Sequence, residues 1–395
     1  MTAELLIMNG NAIAMATDSA VTVGDIKTFN GANKLFMLSN DPPMGIMIFG
    51  NSNFDDFPIE ALIKEFKKES DFAELKNITN IQKEFVRFLS KVTPHTDFKN
   101  LIDDNLEYYK EFLEENFESL TPEEFDNFIN SYVPNDDLNF VSELDEFDNY
   151  DWDLDDVIPD FVLPEDKQDI YFILKMMFFD NFIQGTGVVI AGFNSEEMFP
   201  SYMLFNLIAN NNGVIENNIL EDVSNYPEGI ILPFAQTDVI NAFMTGIDLE
   251  MKKLIEDLFE GVFDDYLEAL ENYFSNDKHF SKSALDEINK KFEKFKSYKS
   301  GMMDWFRDEI QRYQNEFSQP IFYSVEALPN EELVDMCEEL INITSLKRKV
   351  SSNLQSVGGE IDVALISKGD GFVWKKRKDV IDTNLNLHFI NENLQ

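Results

Sequence analysis

The first twenty residues, "MTAELLIMNGNAIAMATDSA", constrain this chain more than any other stretch. Two runs, Glu4–Met8 and Ala12–Thr17, flank Asn9-Gly10, a pair that tight hairpin turns favour because their central positions need positive φ. A three-residue loop, Asn9-Gly10-Asn11, places Thr2 opposite Asp18. A two-residue loop shifts the partners by one position and leaves Asp18 diagonal to Thr2. Both registers bring a carboxylate beside the amino end of the chain.

A second hairpin is predicted in "NKLFMLSNDPPMGIMIFG", turning near Pro42 and setting Lys34 opposite Gly50. If the two hairpins adjoin, Thr2, Asp18, Lys34 and Gly50 meet at one sheet edge. Those residue types suit nucleophilic attack. A threonine hydroxyl is a poor nucleophile until a base takes its proton. Removal of Met1, which a residue as small as Thr permits, uncovers an α-amine of ordinary pKa about 7.7–8.0 that can serve directly or through a water. A nearby lysine favours the alkoxide and lowers the amine's pKa, and an aspartate holds that lysine charged and oriented. A glycine lets its backbone N–H approach the oxyanion of a scissile amide.

On these residues the chain resembles the proteasome β-type subunits, within the N-terminal-nucleophile (Ntn) hydrolases. With Thr2 as first mature residue, the family's nucleophilic Thr, its Asp and its Lys fall on Thr2, Asp18 and Lys34. The segments "MATDSAVT", "NKLF" and "IMIFGN" are similar to the family's around those positions. The resemblance gives Gly50 the oxyanion role and Thr22 the backbone that aligns substrate. Further on, "GVVIAGFNSEEMFPSYML", "EELVDMCEELIN" and "VGGEIDVALIS" resemble its middle hairpin, late helix and late strand. The family often has a supporting Asp and Ser just before a Gly-Gly; here "SSNLQSVGG" offers Asn353 and Ser356, one residue out of alignment.

The resemblance implies an α+β chain, a four-layer αββα sandwich in three segments, about 1–98, 166–249 and 318–395. Two helical insertions, an acidic one at 99–165 and another at 250–317, have no counterpart in an ordinary β subunit. It further implies a divergent bacterial threonine-type endopeptidase that forms an acyl-enzyme and needs no cofactor. Peptides or unfolded proteins are then the substrates, with a homo-oligomeric ring and an ATP-dependent unfoldase as partners. Two rivals stand beside this reading. One is a catalytically silent proteasome-like scaffold subunit that keeps Met1, in which Asp18 and Lys34 form a structural ion pair. The other is an acidic binding protein for a basic partner.

Composition bears on the second rival. Lys plus Arg is 32 and Asp plus Glu is 74, a formal charge of −42 that disfavours nucleic-acid backbones as partners. With one cysteine, Cys337, an intrachain disulfide is excluded, and its place on an apolar helical face predicts a core position. The most apolar stretch, "YFILKMMFFDNF", is short and interrupted by Lys175, which argues against a membrane span. The opening lacks the pattern of a signal peptide, so a cytoplasmic location is expected. Apolar spacing predicts helices from Ile59 onward, over 250–275, and after Asn330 as cap. Asp151, Asp153 and Asp155 alternate as calcium ligands do, but Asp156 stands where a loop glycine is needed, so a solvated acidic face is expected. His95, His279 and His388 are scattered and, with Cys337, give no zinc spacing. No metal site is expected.

Overall fold

The computed structural model describes residues 2–23, 27–55, 57–117, 185–210, 214–222, 229–275, 298–351 and 357–378, with scattered positions between them. Asp151, Asp153, Asp155, His279, His388, Asn353 and Ser356 lie outside the described residues. The chain opens with β1 (Ala3–Met8), β2 (Ala12–Thr17), β3 (Ala20–Val23), β4 (Lys27–Asn30), β5 (Leu35–Asn40) and β6 (Pro43–Gly50). Two short strands, β7 (Asn53–Phe54) and β8 (Phe57–Pro58), lead into α1 (Ile59–Glu69), α2 (Phe72–Leu75), α3 (Ile78–Val92) and α4 (Phe98–Phe117). Then come β9 (Thr186–Phe193), β10 (Pro200–Asn210), β11 (Val214–Asp222) and β12 (Ile230–Ala235). The last elements are α5 (Asp238–Thr245), α6 (Leu249–Ser275), α7 (Lys299–Ala327), α8 (Asn330–Val350), β13 (Asp362–Ser367) and β14 (Gly371–Lys376).

The strands form two five-stranded antiparallel sheets, ordered β12-β1-β2-β13-β14 and β11-β10-β9-β6-β5. Every residue of β1, β2, β9 and β13 is buried, which explains their unbroken apolar reading: these strands are covered on both faces. Successive side chains alternate between the two coverings. Leu5 and Ile7 of β1 join Ala14 and Ala16 of β2 and meet Leu333, Cys337, Leu340 and Ile341 of α8. Leu6 and Met8 turn the other way, with Ile13 and Met15, onto Met47, Val189, Ala191 and Leu204 of the second sheet. The far side of that sheet, through Ile46, Ile48, Val188, Ile190 and Phe205, packs on Phe66 of α1 and Ile81 and Phe85 of α3.

Local chemistry sets these elements. Asn9 builds the first turn by accepting from Asn11 N (2.9 Å) and Ala12 N (3.2 Å). Its amide donates to Val325 O (3.1 Å) and Leu328 O (3.0 Å) at the end of α7. Alanines at 12, 14 and 16 keep β2 shallow enough for α8 to lie close, and the fully buried Cys337 Sγ sits 3.6 Å from Leu5 O. That is the core position expected for it. Helix α8 begins at Asn330, with Pro329 rather than Asn330 at the cap position. Helix α7 runs unbroken through residue 317 and delivers Val325 to the apolar layer beneath the first sheet. Among the described residues, no helix is long and apolar enough to cross a membrane.

The structure decides the first hairpin register and corrects the second. Met8 pairs with Ile13 and Glu4 with Thr17, so the two-residue alternative holds and Asp18 lies diagonal to Thr2. In the second hairpin, Asn40 pairs with Pro43, but the register slips between Met37 and Ser39, and Leu35 pairs with Met47. The expected Lys34–Gly50 pair is therefore overturned: Lys34 O accepts from Ile48 N at 2.9 Å. Two one-residue offsets add: the turn pairs Asn40 with Pro43, one position from the expected register, and a bulge at Leu38 shifts the strand by one more.

Phe66 is the most ring-rich position of the outer core, with centroids 4.9 Å from Phe85, 5.6 Å from Phe88 and 5.9 Å from Phe72. Phe66→Ala is expected to lower unfolding free energy by about 3–5 kcal/mol, read from urea denaturation. A loss below about 1 kcal/mol would mean this face is not a packed core.

Candidate functional site

Five segments converge where the first strand begins. Thr2 stands just ahead of β1, and its carbonyl accepts from Gln236 N (3.1 Å), which fixes it against the end of β12. Asp18 follows β2 and is fully buried. One of its oxygens accepts from Ala3 N (3.2 Å) and from Lys34 Nζ (2.5 Å), and the other from Gly358 N (2.9 Å). A single carboxylate thus ties together β1, the start of β5 and the loop before β13. Gly359 holds that loop close: its φ is +80°, and a Cβ there would lie 2.3 Å from Ser19 Oγ.

Glu4 is the residue sequence reasoning missed. It is 0% exposed and shares the interior face of β1 with Leu6 and Met8. Its Oε2 accepts from Thr2 Oγ1 at 3.0 Å, and its Oε1 lies 3.3 Å from Lys34 Nζ. Glu4 therefore bridges the lysine and the hydroxyl that were expected to face one another. A signal was available: "AELLIM" carries one carboxylate on a face that is otherwise wholly apolar, and a buried charge demands a partner. Burial pushes the Glu4 carboxyl up to about 7; Lys34 pulls against that shift, and repulsion from Asp18 adds to it.

A cavity of about 250 Å³ opens above these groups and is lined by Thr2, Val21, Lys34, Phe49, Gly50 and Glu60, among others. Thr2, Lys34 and Gly50 are thus brought together as expected, with Asp18 beneath them. Gly50 ends β6 with φ +79°, and a Cβ would press within 2.9 Å of Gly185 O, so this turn needs glycine. Thr22 is placed differently: it pairs with Thr28 in the two-stranded β3–β4 ladder, one residue along from the cavity-lining Val21. Phe234, opposite Glu4 on β12, stacks on Phe49 at 5.3 Å and walls the carboxylate off. On the rim, burial acts to raise the Glu60 carboxyl, but bonds from Lys64 (2.6 Å) and Asn33 (3.1 Å) outweigh it and hold the group below its usual range.

Comparison with known proteins does not supply a family. No family model matches the chain, and no curated protein does. Among solved structures, Anbu (ancestral beta-subunit) from Yersinia bercovieri aligns with 8% identity and a TM-score of 0.36, covering 99% of this chain and 94% of that one. The helical assembly of the Anbu complex from Pseudomonas aeruginosa aligns with 8% identity and a TM-score of 0.37, covering 100% and 97%. Superpositions that loose do not give this chain a proteasome-like Ntn-hydrolase fold, and the resemblance drawn from the sequence is corrected on that ground. Hairpin lengths put Thr2, Asp18 and Lys34 at strand ends, and the packing of the two sheets brings those ends together. An unfoldase partner, implied by the family alone, has no support in these comparisons.

The raised Glu4 carboxyl has a sign that can be checked. Because the folded chain binds this proton more tightly than the unfolded chain, the stabilisation is complete below about 4.5 and is lost as pH rises through about 7. Glutamine at this position does not titrate. Wild type is therefore expected to lose stability relative to Glu4→Gln from about pH 5 to about pH 8, by up to about 1.4 kcal/mol per pH unit. Urea unfolding of both proteins across that range is the measurement; a constant difference would contradict the raised carboxyl.

Proposed function

We propose that this protein is a threonine-type peptidase, hydrolysing peptide amide bonds through the Thr2 hydroxyl once residue 1 has been removed. The carrying observation is the hydroxyl at the floor of a cavity, hydrogen-bonded to a buried carboxylate, with the Lys34–Asp18 pair behind it. Lys34 supplies positive charge to an oxygen that becomes anionic during attack, and Asp18 fixes that ammonium. Gly50, across the cavity, offers backbone without a side chain, where the oxyanion of the attacked carbonyl can settle. The proton leaves to a base; the α-amine of Thr2 is one candidate, lying within the nucleophile's own residue.

An extended peptide fits the same geometry. Strand β3 pairs with β4 on one side, and among the described residues no strand pairs its other edge. A substrate strand added beside Thr22 would run its carbonyls past Val21 toward Thr2, with backbone hydrogen bonds setting the register. The reading takes the molecule as four layers, helix, sheet, sheet and helix. Three successive apolar cores support that order, one between the sheets and one on each outer face.

Thr2→Ala is expected to cut turnover of a fluorogenic peptide panel by at least about 10³-fold while leaving the thermal unfolding midpoint close to wild type. Intact mass of the active protein should lack Met1, and a β-lactone should add covalently at Thr2. Undiminished hydrolysis by the alanine variant sinks the proposal.

A further inference from the structure

The hydrogen bond at Thr2 has a direction: Oγ1 donates, and Glu4 Oε2 receives at 3.0 Å. We propose that Glu4 is a catalytic residue, the base that takes the Thr2 hydroxyl proton as that oxygen attacks the amide. This rests on the Thr2-nucleophile reading and moves the proton acceptor from the α-amine to the carboxylate.

Geometry singles out Glu4 over Asp18. Both oxygens of Asp18 are committed, one to Ala3 N and Lys34 Nζ and the other to Gly358 N. In Glu4, the lysine faces Oε1, while Oε2 is turned to the hydroxyl. Full burial denies bulk water the same hydrogen bond. With residue 1 attached, the charged groups facing Glu4 are Lys34, from the start of β5, and Asp18, from the end of β2, while its register neighbours Thr17 and Phe234 carry no charge. Removal of residue 1 adds the Thr2 α-amine, which lowers the Glu4 carboxyl when protonated. With its carboxyl raised to about 7, Glu4 is matched to proton transfer near neutrality, where an ordinary carboxylate is too weak a base.

The step balances without a further reagent. Oγ1–H breaks as Oγ1 bonds to the carbonyl carbon; the proton goes to Glu4 Oε2, and the carbonyl π pair to its oxygen. On collapse the C–N bond breaks and Glu4 returns the proton to the departing nitrogen, leaving a neutral amine and a Thr2 ester. Water then attacks the ester, gives a proton to Glu4, and Glu4 returns it to Oγ1 as the acid leaves.

The test is the pH profile of kcat/KM for the full-length protein on a fluorogenic peptide. Wild type should gain activity through an acid limb near pH 7, because the base must be unprotonated. Glu4→Gln should lose that limb and about 10²–10⁴-fold in kcat/KM, while Glu4→Asp keeps the limb at reduced rate. If Glu4→Gln stays within about threefold of wild type with its limb intact while Thr2→Ala is inactive, the base is elsewhere and only this assignment falls. Activity in Thr2→Ala removes both readings. Should Glu4→Gln fail to fold, side-chain carboxyl NMR of wild type decides: titration near pH 7 that moves on acylation of Thr2 supports the proposal, and titration below about pH 5 overturns it.

Discussion

A lysine buried between two carboxylates holds the rest of this structure in place. Lys34 is 4% exposed, Asp18 and Glu4 are fully buried, and such charges are tolerated inside a fold only when they are paired and hydrogen-bonded. Removing one member strands the others, at a cost of about 3–5 kcal/mol for a broken buried pair. The arrangement is therefore an all-or-none requirement on the segments that bring it together. The starts of β1 and β5, the end of β2 and the loop before β13 must arrive in register for any of the three charges to be satisfied.

That requirement explains why the two sheets meet where they do. Leu6, Met8, Ile13 and Met15 of one sheet lie on Met47, Val189 and Leu204 of the other and form a layer with no polar demands of its own. Apolar contact is non-directional, so this layer alone would accept many offsets. The charged cluster at its end removes the freedom, because Glu4 extends the face that begins with Leu6 while Lys34 comes from the opposite sheet. Packing supplies the adhesion, and the three charges supply the alignment.

Much of this was legible in the sequence, for identifiable reasons. Asn9-Gly10 announced the first hairpin, and helical spacing announced α1, α6 and α8. Thr2, Lys34 and Gly50 do line one cavity, but through the packing of two sheets rather than through hairpin lengths alone. What failed were features that no periodicity records. The turn between β5 and β6 and the bulge at Leu38 each shifted the ladder by one, moving Lys34 from Gly50 to Ile48, and the two-residue turn gave the first register. Glu4 lies inside a strand rather than at its end, where a lone carboxylate among apolar residues is itself the anomaly that marks it. The family resemblance rested on three spaced residues and short segments such as "MATDSAVT" and "NKLF", and no family model matches the chain.

Asn9 has a consequence beyond the turn it builds. Its amide holds two terminal carbonyls of α7, so the loop that joins β1 to β2 is fastened to a helix of 29 residues, about 40 Å from end to end. Along its length that helix is braced by α6, through Lys299–Asp264, Arg307–Glu256 and the stacked rings of Phe259 and Phe306, so it meets the hairpin as one member of a helical pair. The hairpin whose other extremity carries Thr2 is thereby tied, through the Asn9 amide and the apolar contacts around Val325, to a helical pair far longer than itself.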